Sequence, residues 1–196
     1  MSIFAGLPQR HFGVISADCP WGFKTYGKDG HKRSAERHYP TMKTAEMCAL
    51  PVADLAAPDC FLFFWTSGPH MKRAFKIIDA WGFRYSSIAF TWIKLNPGER
   101  DALFLSDASF HVGMGYTTRK NTEICLLATR GKPKRRSKSV RELIIAARRE
   151  HSRKPDEAAR RIEQFASGPY LELFAREQRP GWTAWGNETD KFGVAA

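Results

Sequence analysis

An α/β fold built on a mostly parallel sheet is the expectation for this chain of 196 residues. Two observations lead to it. The continuous apolar runs Cys60-Phe61-Leu62-Phe63-Phe64-Trp65, Glu123-Ile124-Cys125-Leu126-Leu127-Ala128 and Tyr170-Leu171-Glu172-Leu173-Phe174-Ala175 read as strands buried on both faces. Helical segments with start and stop signals lie between such runs, and alternating strands and helices build layered sheets. The length fits one domain, residues 1–196, and buries roughly two-thirds of the unfolded surface without staples.

In chain order, Phe12 to Ala17 reads as the first strand. Gly22 to Pro40 is polar and Gly-rich, with Lys24, Lys28, Lys32, Arg33 and Arg37, and reads as a long loop of the kind that is functional or disordered. Thr44 to Ala49 is a short helix capped by Thr41 or Thr44. The run from Cys60 to Trp65 is bounded by Pro58-Asp59 and Ser67-Gly68. Pro69 to Trp81 is a helix with proline in its first turn and Gly82 as its stop. Tyr85 to Lys94 is β-rich, Asn96 to Phe110 a loop or flap, and Glu123 to Ala128 a buried strand ended by Gly131 and Pro133. Arg135 to Glu150 is read as basic and partly helical. Lys154-Pro155-Asp156 opens a helix to Gln164, and Tyr170 to Ala175 follows Gly168-Pro169 as a strand.

Composition narrows the function. No run of about 18 apolar residues is present, so no transmembrane helix is expected. Met1 to Gly6 lacks a charged segment followed by a long apolar one, and a cytoplasmic location is expected. Cys19, Cys48, Cys60 and Cys125 form no C-x-x-C pair and have no histidine at metal-ligand spacing, so neither a metal site nor a disulfide framework is expected. The formal net charge of +11 favours a polyanion, nucleic acid being the commonest. Between Arg130 and Lys154 the cations include Arg135, Arg136, Arg148, Arg149 and Arg153, opposed only by Glu142 and Glu150; a solvated face mixes signs, so this stretch is expected to meet phosphates.

No G-x-G-x-x-G follows a strand, and there is no G-x-x-x-x-G-K-[ST], G-x-S-x-G or H-x-x-x-H; nicotinamide, P-loop, nucleophile-elbow and metal chemistries lack support. Ala17-Asp18-Cys19-Pro20-Trp21 ends the first strand in an acid, a proline turn and an aromatic. Asp18 accepts a hydrogen bond from an amine, the Cys19 carbonyl is a second acceptor, and Trp21 is a stacking surface. An ordinary strand-to-loop turn also accounts for these residues. In open sheets, ligands sit beyond the carboxyl ends of the strands, so Asp18, Trp65 and Arg176 are expected in one cleft. Trp182 to Glu188 reads equally as a packing strand or as a segment whose Asn187 and Glu188 grip a ribose or an adenine edge.

Together these segments resemble the MT-A70 family of S-adenosylmethionine-dependent adenine N6-methyltransferases, over nearly the whole chain. The resemblance rests on Asp18-Cys19-Pro20-Trp21, where the family has D-P-P-W, and on Tyr39-Pro40-Thr41-Met42, Phe61 to Trp65, Asn121-Thr122-Glu123, Ser152 to Asp156, Glu172 to Arg176 and Trp185 to Glu188. The chain is most similar to compact prokaryotic and phage-type members. The resemblance implies a Rossmann-like methyltransferase sheet with helices on both faces and a permuted motif order, the catalytic tetrad early and the cofactor strand late. It implies catalytic roles for Asp18, Cys19, Pro20 and Trp21, with Asp18 and the residue 19 carbonyl holding the N6 amine and Trp21 against the base. It implies S-adenosylmethionine contacts at Asp18, Pro20, Lys154, Phe174, Arg176, Asn187 and Glu188. Substrate contacts are then expected from Tyr39 and Trp65, with phosphates held by Lys24, Arg33, Arg135, Arg136 and Arg153.

The expected substrate is nucleic acid, DNA ahead of RNA, with the base flipped or single-stranded. The expected partners include no membrane, and the protein is expected as a monomer or homodimer. Cys19 in place of proline regains φ freedom and a backbone N–H, which leaves a catalytically impaired nucleic-acid-binding module as the rival.

Overall fold

A computed structural model describes residues 3–22, 40–113, 117–150 and 152–193. Its seven strands are β1 (Phe12–Asp18), β2 (Ala56–Thr66), β3 (Arg84–Leu95), β4 (Thr122–Arg130), β5 (Leu143–Ala147), β6 (Tyr170–Leu173) and β7 (Trp182–Trp185). They form one sheet in the order β5-β3-β4-β2-β1-β6-β7. Neighbouring strands pair in parallel except at β4, which runs antiparallel to both β2 and β3. The α/β architecture and mostly parallel sheet are therefore as expected.

The apolar runs explain how the sheet is covered. Along β1, Ile15 and Ala17 face one side and Val14 the other; along β2, Leu62 and Phe64 oppose Phe61, Phe63 and Trp65. The first face packs on helices α1 (Thr44–Cys48), α2 (Val52–Leu55) and α3 (Met71–Ala80), through Met47, Leu55, Ile77 and Ile78. The second packs on α4 (Asp156–Phe165), through Ala158 and Ile162. Each large side chain buried this way contributes about 1.5–3 kcal/mol, so strands that are apolar on both sides are stable only between two helical layers. Trp81 Nε1 ties the end of α3 to α1 by donating to the Met47 carbonyl at 2.8 Å.

Three boundaries differ from expectation. The strand β2 starts four residues early, in an irregular stretch where Pro58 donates no ladder hydrogen bond. The segment 135–150 contains no helix: Leu143–Ala147 is an edge strand on β3, with Ile144 buried between exposed Leu143 and Ile145, a period of two rather than 3.6. The strand β6 stops at Leu173 because Phe174 takes a left-handed backbone (φ 61°).

The neighbours of β1 are reached from opposite directions along the chain, β2 next and β6 last. Such a reversal opens a crevice beyond the carboxyl ends of the strands. Asp18 ends β1 there, and Phe174 and Arg176 follow β6 into the same place. Among the described residues no helix is long and apolar enough to cross a membrane.

Candidate active site

The turn after β1 is closed by backbone hydrogen bonds. The Trp21 N–H donates to the Cys19 carbonyl at 2.9 Å, and the Met42 N–H donates to the Pro20 carbonyl at 3.0 Å. The Cys19 side chain is buried in the core, which anchors the turn without a proline ring. A carbonyl has two lone pairs, so Cys19 O keeps one acceptor position after serving Trp21.

Trp21 departs from the expectation of an open stacking surface. It is only 5% exposed, its ring stacks on the His70 imidazole at 4.7 Å and 16°, and Phe64 meets it edge-on. A face already covered by an imidazole is not open to a base in this arrangement. His70 is fixed in turn by the Gly22 carbonyl (3.3 Å from Nε2) and Ser67 Oγ (3.0 Å from Nδ1). Burial lowers the His70 pKa, so the ring is neutral at pH 7, with Nε2–H donating to Gly22 O.

Asp18 is the first member of a part-buried chain of alternating charges. Its Oδ2 accepts from Lys154 Nζ, Lys154 reaches Glu123 Oε2 at 3.2 Å, and Glu123 Oε1 pairs with Lys94 Nζ. Lys154 Nζ also lies 5.5 Å from the centre of the Trp65 ring, a cation–π contact that buries Trp65 beneath it. Burial raises the Asp18 pKa, and Lys154 opposes that rise. Burial also acts to raise Glu123, but Lys154 and Lys94 outweigh it and hold the carboxyl at about 2. Burial acts to lower Lys154, yet Asp18 and Glu123 hold it above the ordinary lysine range. Among the described residues only one Asp18 oxygen is engaged.

Two cavities meet here. One of about 370 Å³ lies between the β1 turn and the end of the chain, lined by Asp18, Pro20, Phe174, Arg176, Asn187 and Glu188 among others. A smaller one of about 50 Å³ adds Trp65, Arg153, Lys154 and Glu172 to Asp18, Phe174 and Arg176. Asp18, Trp65 and Arg176 thus share one cleft, as expected. Arg176 Nε donates to Glu188 Oε2 at 2.9 Å, which ties the end of β6 to the segment after β7. That segment pairs as a parallel strand on β6 to Trp185, and Asn187 and Glu188 beyond it line the cavity.

The structure brings the remaining candidates together only in part. Arg153 lines the smaller cavity but is held by Glu177 at 2.9 Å and Glu150 at 3.3 Å, so it braces the loops rather than offering a free cation. Arg135 and Arg136 follow β4, whose antiparallel direction carries them to the opposite end of the sheet from Asp18: Arg130 pairs with Cys60 near the start of β2. Neither residue lines these two cavities. Tyr39, Lys24 and Arg33 lie outside the described residues. Lys94 carries no expectation from the sequence, and Asn121-Thr122-Glu123 fits turn capping as well as ligand contact; the structure sets Glu123 between Lys154 and Lys94, and an acid opening the apolar run Ile124 to Ala128 is the signal of that paired charge.

Comparison with known proteins follows the same segments. A family model described as MT-A70 matches residues 12–188. The chain is 35% identical to "Type II methyltransferase M.MunI" of Mycoplasma sp, over 95% of the chain and 81% of that protein. It is 32% identical to an Arabidopsis thaliana "N(6)-adenosine-methyltransferase MT-A70-like" protein, over 90% of the chain and 24% of that protein. It is 31% identical to the Homo sapiens "N(6)-adenosine-methyltransferase catalytic subunit METTL3", over 91% of the chain and 28% of that protein. The chain spans about a quarter of these plant and animal relatives and most of the Mycoplasma one. With the match running from β1 through the cavity wall at Glu188, this chain belongs to the MT-A70 family of methyltransferases.

Proposed function

We propose that this chain is an S-adenosylmethionine-dependent adenine N6-methyltransferase acting on nucleic acid, DNA in preference to RNA. The observation that carries the reading is the Asp18 carboxylate at the cleft, one of whose oxygens is engaged among the described residues, beside the Cys19 carbonyl. Two acceptors side by side suit an exocyclic amine with two hydrogens. The adenine amine is a poor nucleophile because its lone pair is delocalised into the ring. Accepting both hydrogens favours a pyramidal nitrogen and stabilises the positive charge that develops on it. Lys154 opposes the upward pull of burial on the Asp18 carboxyl.

The cavity fits the methyl donor. About 370 Å³ lies within the range of small-molecule sites. Phe174 and Pro20 offer apolar surface for a purine, Asn187 and Glu188 hydrogen-bond groups for a ribose, and Arg176 and Asp18 opposite charges for an amino-acid moiety and a sulfonium. The cofactor, when bound, supplies an electrophilic methyl group on that sulfonium. The chain's own part is to orient the amine and exclude water, which accounts for much of the advantage in bimolecular transfers.

DNA is favoured because the relative spanned over 81% of its length is named a type II methyltransferase, whereas the N(6)-adenosine-methyltransferases are matched over about a quarter. A binding module without turnover is the second reading, raised by Cys19; the closed turn and spare Cys19 lone pair favour catalysis. The test is transfer of labelled methyl groups to single- and double-stranded DNA and RNA, with mass spectrometry of the nucleosides. N6-methyldeoxyadenosine is expected. Incorporation only into RNA reassigns the substrate, and none into any polymer overturns the proposal.

A further inference from the structure

The segment between β3 and β4 leaves the sheet at the same end as Asp18, one residue beyond Lys94–Leu95. Its stems are clamped. The His111 N–H donates to the Lys94 carbonyl at 2.8 Å, the Asn96 N–H donates to Ser109 O at 2.9 Å, and Asn96 Nδ2 donates to Ala108 O at 3.0 Å. Ser109, itself buried, donates to Glu99 Oε2 at 2.9 Å, and Leu95 and Phe110 form a β-bridge. Because Lys94 pairs with Glu123, and Glu123 with Lys154, this base is continuous with the charge chain that ends at Asp18.

On that clamped base the tip is out of character. Leu103 is 92% and Phe104 89% exposed, with Leu105 also exposed beside them. Adjacent large apolar side chains at this exposure mark a surface that is covered in use. Beside the tip Arg100 stands between Glu99 and Asp101, and the exposed cations Arg119 and Lys120 lie where the chain returns to β4. Glu99, Asp101 and Asp107 outnumber Arg100 on the loop itself, so the positive charge belongs to its base at Arg119 and Lys120 rather than to the tip. The partner must therefore present anions at the rim and an apolar face at the centre. A nucleic-acid duplex opened at one base step does both, with phosphates outside and base faces within.

We propose that Leu103 and Phe104 form an apolar wedge that enters duplex DNA beside the target adenine and fills the stack as that base leaves it. This rests on the reading of the chain as an adenine N6-methyltransferase. A base in a duplex reaches the Asp18 cleft only by extrusion, and extrusion forfeits its stacking. Apolar side chains pushed between base pairs replace part of that lost contact and hold the gap open. The rigid stem supplies what a wedge requires, a fixed direction relative to the amine acceptors.

The experiment compares wild type with Leu103→Ala/Phe104→Ala on the same mapped target adenine in three settings: paired with thymine, opposite an abasic site, and in single-stranded DNA. The wedge requires kcat/KM on the paired duplex to fall about tenfold or more, with a change of less than about threefold on the two unpaired substrates. Thermal unfolding confirms that the variant is folded. Equal losses on all three substrates, or no loss on the duplex, overturn the wedge. So does a wild-type dimer in sedimentation that the variant converts to monomer, because the tip then covers a second copy. Fluorescence of 2-aminopurine in duplex DNA separates the two proposals. Enhancement by wild type but not by the variant supports the wedge even if no methyl group is transferred, and no enhancement by wild type overturns it even if methylation is found.

Discussion

Asp18 and Lys154, 136 positions apart in the chain, share a part-buried hydrogen-bonded ion pair at the carboxyl end of β1. Lys154 is shared with Glu123, so Asp18 is one of two carboxylates on one ammonium. Asp18→Asn therefore leaves Lys154 paired and the fold intact, but removes the charged acceptor. We expect methyl transfer to drop by about 100-fold or more with little change in thermal unfolding. Full activity in the asparagine variant would remove Asp18 from the mechanism.

Removing the cation is structurally worse than removing either anion. Lys154→Met leaves the part-buried Asp18 carboxylate without its cation, while Glu123 keeps Lys94, and is expected to cost about 1–3 kcal/mol in denaturant unfolding. Adding Glu123→Gln to Lys154→Met relieves part of that loss. Strict additivity in the double-mutant cycle would show that the groups do not interact.

Glu123 and Glu172 are expected to respond to pH with opposite signs. Glu123 is depressed to about 2 in the fold; its stabilisation is present above the unfolded value of about 4.5 and is lost as pH falls toward 2. Glu172 is raised to about 7 by burial, so the fold prefers it protonated; that stability is full below about 4.5 and lost as pH rises through 7. Glu172→Gln should thus gain about 3 kcal/mol relative to wild type between pH 4 and pH 8. Parallel stability curves for the two proteins would refute the shift.

Trp21 is expected to act on the fold before it acts on a base. Trp21→Ala opens a cavity against His70 and Phe64 and should cost about 3–5 kcal/mol. Trp21→Phe should cost much less, because the buried indole N–H has no hydrogen-bond partner among the described residues. An alanine variant with wild-type stability but a raised KM for nucleic acid would restore the stacking role.

Arg135 and Arg136 provide a control on charge. They lie at the far end of the sheet from Asp18, so Arg135→Ala/Arg136→Ala should leave the salt dependence of DNA binding unchanged. A slope of log Kd against log salt reduced by about 1 per residue would show that they touch phosphate after all.

Much of this molecule is written in local pattern. The apolar runs of β1, β2, β4 and β6, the proline that opens α4 and the acid-proline-tryptophan turn are readable from the chain, because burial and helix starts depend on neighbouring residues. The family follows from the order of those segments. The direction of β4 does not, since an apolar run carries no sign of which way it pairs; that direction alone separates Arg135 and Arg136 from Lys94 and Glu123. Nor does the sequence determine that Trp21 stacks on His70 or that Asp18, Lys154 and Glu123 share charge. These contacts join residues tens of positions apart, and only the register of the packed strands sets the distances at which a ring covers a ring or an ammonium neutralises two carboxylates.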